Sequence, residues 1–199
     1  MKKHSARLHL KQMTEKAHRE AEQSGLMKPL MGAHVSNEDY LQALNGLYSW
    51  LERYEMCLQT WLPKDNQRLF EYYYQPRSGQ ILADIHALGG FTPPHNIHHV
   101  NADSIYQALG YAYVIEGSTQ GGRMLSQRLN KVLNLEGNAL SYFNFYRYRS
   151  WQRFIEMFEC FSFTNEQLNE MTSAAVNAFA SLNSIAQRIE QRDSTVVVG

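Results

Sequence analysis

His18 is the side chain in this sequence best placed to do chemistry. Lys11, Thr14, His18 and Glu22 recur at spacings of three and four, so all four share one face of a helix. Glu22, one turn after His18, can accept a hydrogen bond from one imidazole nitrogen. That fixes the tautomer and leaves the other nitrogen free for a metal. A single histidine on a helix is more often exposed or satisfied than ligating, so a second feature has to decide. The candidate is Tyr111-Ala112-Tyr113-Val114-Ile115-Glu116-Gly117-Ser118-Thr119-Gln120-Gly121-Gly122. Its three glycines interrupt a helical pattern at a cost of roughly 1 kcal/mol each relative to alanine. A flat object brought close to the backbone would explain them, and so would a loop or a kink packed on another helix.

Other constellations compete. Glu15-Lys16-Ala17-His18 reads as Glu-x-x-His, the di-iron motif of helical bundles, but a second copy is missing, and Asp84-Ile85-His86 does not supply the spacing. His95, His98 and His99 lie in a proline-containing loop without a carboxylate, which favours no defined metal geometry. The run Tyr142-Phe143-Asn144-Phe145-Tyr146-Arg147-Tyr148-Arg149-Ser150-Trp151 could stack bases. With 19 basic and 19 acidic residues in the chain, aromatics that fill a core are the better reading. Ser118 lacks the Gly-x-Ser-x-Gly frame of a nucleophile elbow, and the glycines follow a helical segment rather than a strand, unlike a dinucleotide-binding turn.

Two separated stretches together resemble the heme oxygenase family. Thr14-Glu15-Lys16-Ala17-His18-Arg19-Glu20-Ala21-Glu22 is similar to its proximal Thr-x-x-x-His-x-x-x-Glu helix. Glu116-Gly117-Ser118-Thr119-Gln120-Gly121-Gly122 is similar to its distal kinked helix, in a version closer to the bacterial branch. The resemblance spans about residues 5–190. It implies an all-α, single-domain helical bundle with a glycine-kinked distal helix, binding heme b as both substrate and cofactor. His18 would be the axial iron ligand, Glu22 its orienting partner and Lys11 a neighbour of a propionate, with Thr14 on the same heme-binding helix. Gly117, Gly121 and Gly122 would lie on the opposite heme side, where Gly117 and Gly121 leave room for iron-bound oxygen. Ser118 stands where animal members carry an aspartate, as in bacterial relatives, and would organise distal water. Gln120 replaces an expected leucine and bears on the distal water network.

The implied reaction is oxidative cleavage of heme at a meso carbon to biliverdin, carbon monoxide and ferrous iron. Molecular oxygen is a substrate. No flavin or nicotinamide motif is present, so electrons would come from an external reductase or ferredoxin-like donor. The bacterial branch includes enzymes encoded beside bacteriophytochromes and enzymes used in iron acquisition, so the resemblance implies either bilin supply or iron acquisition. A heme- or bilin-binding protein that does not degrade its ligand, or a non-heme di-iron oxidase of similar helical fold, would share much of this pattern.

The elements that must position these residues follow from periodicity. The chain's 199 residues and 23.0 kDa suit one domain, expected over residues 5–190 with 191–199 as a tail. All five prolines fall between periodic segments and no alternating strand pattern occurs. Helices are expected from Ser5 or Ala6 to Gln23, from a Ser36–Asp39 capping box, over roughly Asn66–Tyr74, from Ser78 to Gly89, from Ala102 to about Leu135, from the aromatic run to Cys160, and after Thr164. The first carries a narrow apolar stripe of Leu10, Met13, Ala17 and Ala21. Cys57 and Cys160 form neither a metal spacing nor a disulfide framework, and Met1-Lys2-Lys3 is not followed by an apolar run. A cytoplasmic protein without nucleic-acid or membrane partners is therefore expected.

Overall fold

The computed structural model describes residues 5–64, 72–93 and 97–196, and among these no strand occurs. The first helix, α1, runs Ala6–Glu22 behind an N-cap at Ser5, whose hydroxyl accepts from the Leu8 amide at 3.3 Å. Leu10, Thr14 and Ala21 are buried, while Met13 is 56% exposed, so the inward face is turned from the predicted stripe toward Thr14. The Thr14 hydroxyl tolerates burial because it donates to the Leu10 carbonyl at 2.7 Å. A short helix α2, Lys28–Met31, was not expected from periodicity. Pro29 opens it rather than lying between elements, as proline can in a first helical turn.

Helix α3, Asn37–Trp61, starts with the predicted capping box: the Ser36 hydroxyl accepts from the Asp39 amide while the Asp39 carboxylate accepts from the Ser36 amide. Tyr40, Leu44, Leu47, Leu51 and Tyr54 are buried along it. The helix read over Asn66–Tyr74 falls mainly outside the described residues, and its end at Tyr72–Tyr74 is not helical. Tyr72 and Tyr74 instead send their hydroxyls inward to Glu116 and Glu55. Helix α4, Ser78–Ala87, follows; the buried Glu55 carboxylate accepts from the Arg77 amide at 2.6 Å and the Ser78 amide at 3.2 Å, capping its start from another helix. Asp84 in turn accepts from the amides of Ser141 and Tyr142, both at 2.8 Å.

Helix α5, Ile105–Leu133, runs without a break through all the glycines and ends at Asn134 in the left-handed region (φ 52°). The Ser118 and Thr119 hydroxyls donate back to the carbonyls of Ile115 and Glu116, a local pattern associated with helix bending. The aromatic run forms a 3-10 segment, Phe143–Tyr148, with Phe143 and Phe145 buried, and leads into α6, Ser150–Glu159. Helix α7 runs Asn165–Val196, so helical backbone extends into the segment read as a tail. α5, α1 and α3 all pack on it. α1 and α5 lie on α7 and α6 rather than along one another.

Candidate functional site

Where α1 and α5 approach, Tyr113 of α5 lies near Thr14 of α1. One turn along α1 from that point stands His18, and one turn along α5 stands Gly117. His18 has neighbours on two sides: its Nδ1 is 3.7 Å from Oε1 of Glu22, so the expected hydrogen bond is not formed here, and its ring meets Phe179 of α7 edge-on, with centroids 5.6 Å apart. Its side chain is still 57% exposed, leaving Nε2 available to a ligand. Lys11, one turn before Thr14, is exposed on the same helix.

On α5 the glycines divide into two kinds. A Cβ at Gly121 would meet nothing within 4 Å, while one at Gly117 would meet only the Trp151 ring, from 3.5 Å outward. These two residues share a helix face, but the indole takes the room expected at Gly117 and only Gly121 is left open. Gly122 differs: a Cβ there would sit 2.5 Å from the Phe143 carbonyl oxygen, so its lack of a side chain lets the 3-10 segment approach α5. It is buried against that segment and does not join the open face of Gly121. Ser118 is exposed, with its hydroxyl on the Ile115 carbonyl at 2.7 Å and the Tyr142 phenol beside it. Gln120 is exposed at the edge of a groove of about 240 Å³ that also involves Arg123, Arg149, Trp151 and Gln152.

A buried polar cluster backs the glycine stretch. Glu116 and Arg77 pair at 2.7 Å with neither side chain exposed, and the Tyr72 hydroxyl donates to the same Glu116 oxygen at 2.5 Å. Burial first, then the Glu116 carboxylate, pushes the Tyr72 phenol well above its ordinary range. Arg77 also donates to the Ile115 carbonyl at 3.3 Å and lies over the Phe145 ring, 4.2 Å from its centroid. Sequence reasoning quoted Glu116 only as a neighbour of Gly117 and missed Arg77, Tyr72 and the role of Trp151. A carboxylate inside an apolar helical run is the one signal that could have flagged the pair.

The di-iron alternative is not supported. Glu15 turns outward to Arg19 at 3.2 Å, and no group of three or more His, Cys, Asp or Glu side chains converges among the described residues. His95 lies outside the described residues; His98 and His99 are exposed, and His99 meets the Glu52 carbonyl at 3.0 Å. No helix among the described residues is long and apolar enough to cross a membrane. An exposed imidazole on one helix and the open face of Gly121 on the other suit a flat ligand with a metal at its centre.

Comparison with known proteins bears on the family and the fold. The family model described as heme oxygenase matches residues 4–188. No curated protein matches the chain. Among solved structures, heme oxygenase from Leptospira interrogans superposes with a TM-score of 0.73 at 18% identity, covering 92% of this chain and 99% of that one. The NO- and CO-bound heme oxygenase from Neisseria meningitidis gives a TM-score of 0.71 at 19% identity, covering 94% and 92% of the two chains. Heme oxygenase-1 from the cyanobacterium Synechocystis, solved in complex with heme, gives 0.71 at 16% identity, covering 97% and 96%. At such identities these likenesses establish the shared fold.

Proposed function

The chain belongs to the heme oxygenase family and degrades heme, and we propose that it does so between α1 and α5, where His18 is the residue that would hold the iron. One observation carries this reading. The exposed His18 stands one turn along α1 from Thr14, and the open face of Gly121 stands two turns along α5 from Tyr113, which lies near Thr14, on two helices that do not pack along each other.

Heme b, when bound, supplies both the iron that activates oxygen and the ring that is cleaved to biliverdin, carbon monoxide and ferrous iron. The rest is the work of the chain. Glu22 and Phe179 flank the imidazole so that Nε2 faces the ligand rather than turning in solvent. Thr14 keeps α1 polar yet satisfied at the point where α5 approaches. Lys11 provides a cation for a propionate. Gly121 leaves space on the far side for a small molecule, and the Ser118 hydroxyl, with the carbonyls and amides around it, holds the water that delivers protons. Gly122 supports this face from behind rather than touching the ligand.

Electrons come from a separate donor, a reductase or a ferredoxin-like protein, because the sequence carries no flavin or nicotinamide motif. Two free cysteines, Cys57 and Cys160, fit a reducing cytoplasmic setting. The neighbours solved with heme, NO and CO support a gas-binding heme site in this fold. Titration of the purified protein with hemin, followed by ascorbate in air, tests the reading. A sharp Soret band that decays into a broad bilin band is expected. A Soret band that persists with a dedicated reductase would make the protein a holder of heme, and no Soret band would remove the heme site altogether.

A further inference from the structure

Gly117 and Gly121 share a face of α5 but not a neighbour. The three atoms nearest a Cβ built on Gly117 all belong to the Trp151 indole: Cζ3 at 3.5 Å, Cη2 at 3.7 Å and Cε3 at 4.0 Å. Adding a Cα–Cβ bond of about 1.5 Å places the ring no more than about 5 Å from the Gly117 Cα. A flat macrocycle in van der Waals contact with surfaces on both sides needs roughly 7 Å between them. Nothing planar fits between Gly117 and Trp151 in this arrangement, whereas the face of Gly121 is open.

The indole is also held in place. It meets Tyr113 edge-on with centroids 5.6 Å apart, and stacks on Phe154 at 6.0 Å with the planes 24° apart. Phe154 is fully buried, and Tyr113 belongs to α5 itself. Trp151 is therefore a wall braced by α5 and by the buried Phe154, not a loose flap.

We propose that Trp151 is a specificity-determining residue: its indole is a stop at the Gly117 end, against which one edge of the porphyrin lodges. It thereby sets how far and which way round the ring sits over Gly121. The inference rests on the reading of the open Gly121 face as the distal side of the ligand. Its consequence is regiochemical. The meso carbon that is cleaved is the one the seating brings nearest the activated oxygen, so a stop on the ring's edge selects it.

The test compares wild type, Trp151→Phe and Trp151→Ala as ferric hemin–cyanide complexes by proton NMR, where each seating gives its own set of heme methyl resonances. Wild type should show one dominant set. Trp151→Ala should raise a second set severalfold and yield a second biliverdin isomer on turnover, while Trp151→Phe, which keeps an aromatic wall, should stay near wild type. Unchanged seating populations and a single unchanged isomer in Trp151→Ala would overturn the proposal. If circular dichroism shows that Trp151→Ala does not fold, Trp151→Leu carries the same expectation and the same overturning result. A wild-type protein without a Soret band would overturn the heme-site reading, and this proposal with it. Normal hemin binding with unaltered seating would overturn the proposal alone.

Discussion

Nη2 of Arg77 lies 2.7 Å from Oε1 of Glu116, and neither side chain reaches solvent. The pair fastens the non-helical segment before α4 to the residue of α5 that immediately precedes Gly117. A charge buried without its partner is strongly disfavoured, whereas an apolar pair of similar volume is often tolerated. Glu116→Ala should therefore lower the unfolding free energy by about 3–5 kcal/mol. The double change Arg77→Met with Glu116→Leu should cost less than the sum of the two single changes. Urea unfolding followed by circular dichroism measures this, and strictly additive losses would show that the two residues are not coupled.

The glycines of α5 make opposite predictions. Gly121→Ala places a methyl group in open space within a helix and should stabilise the fold by up to about 1 kcal/mol. Gly122→Ala drives a Cβ to 2.5 Å from the Phe143 carbonyl oxygen and should destabilise, because two backbones rather than a flexible side chain must separate. Gly121→Leu should keep the helical spectrum yet lose the Soret band on hemin titration. Wild-type hemin affinity in Gly121→Leu would mean that the ligand does not use this face.

Much of this architecture is legible in the sequence, for local reasons. The boxes at Ser36–Asp39 and at Thr164, and the cap at Ser5, place helix starts because their hydrogen bonds span three residues. His18 with Glu22, and the glycines of α5, are readable because function and helical period act within one element. Long-range pairings are not. Nothing local links Arg77 to Glu116, or Trp151 to Gly117. The Asn66–Tyr74 reading fails at Tyr72–Tyr74 because two tyrosines that look like a helical face are drawn to Glu116 and Glu55 on other helices. Gly122 looks like Gly121 in sequence, and only the approach of the 3-10 segment separates their roles.

Alkaline pH should unfold the protein through its buried tyrosines. Burial above all, then a neighbouring carboxylate, holds the phenols of Tyr40 and Tyr72 above their ordinary value, Asp84 acting on the first and Glu116 on the second. In the unfolded chain both ionise near pH ~10 while the folded chain keeps their protons. The folded state then binds more protons than the unfolded, so stability is fully present below that pH and falls as pH rises beyond it. Each such tyrosine contributes a loss of about 1.4 kcal/mol per pH unit. Tyr72→Phe should start lower, having lost its hydrogen bond to Glu116, and then decline less steeply. Urea midpoints taken on both sides of pH ~10 test this, and parallel slopes for the two proteins would contradict it.

His18 offers the most direct test of the chemistry, because its side chain does so little for the fold. It is 57% exposed, and its contacts to Glu22 and Phe179 lie at the rim of the α1–α7 packing. His18→Ala should therefore change the unfolding free energy by no more than about 0.5 kcal/mol, the usual range for a surface position. Loss of turnover can then be assigned to the lost iron ligand rather than to misfolding. Ascorbate-driven decay of the Soret band should be absent in His18→Ala. In Glu22→Gln it should slow by about 10–100-fold, the usual effect of removing a group that orients a metal ligand. Ser118→Ala should be milder, since its hydroxyl is assigned to holding water and is already committed to the Ile115 carbonyl. Normal degradation of hemin by His18→Ala would move the axial ligand elsewhere, whereas complete inactivity of Ser118→Ala would make that hydroxyl a direct proton donor.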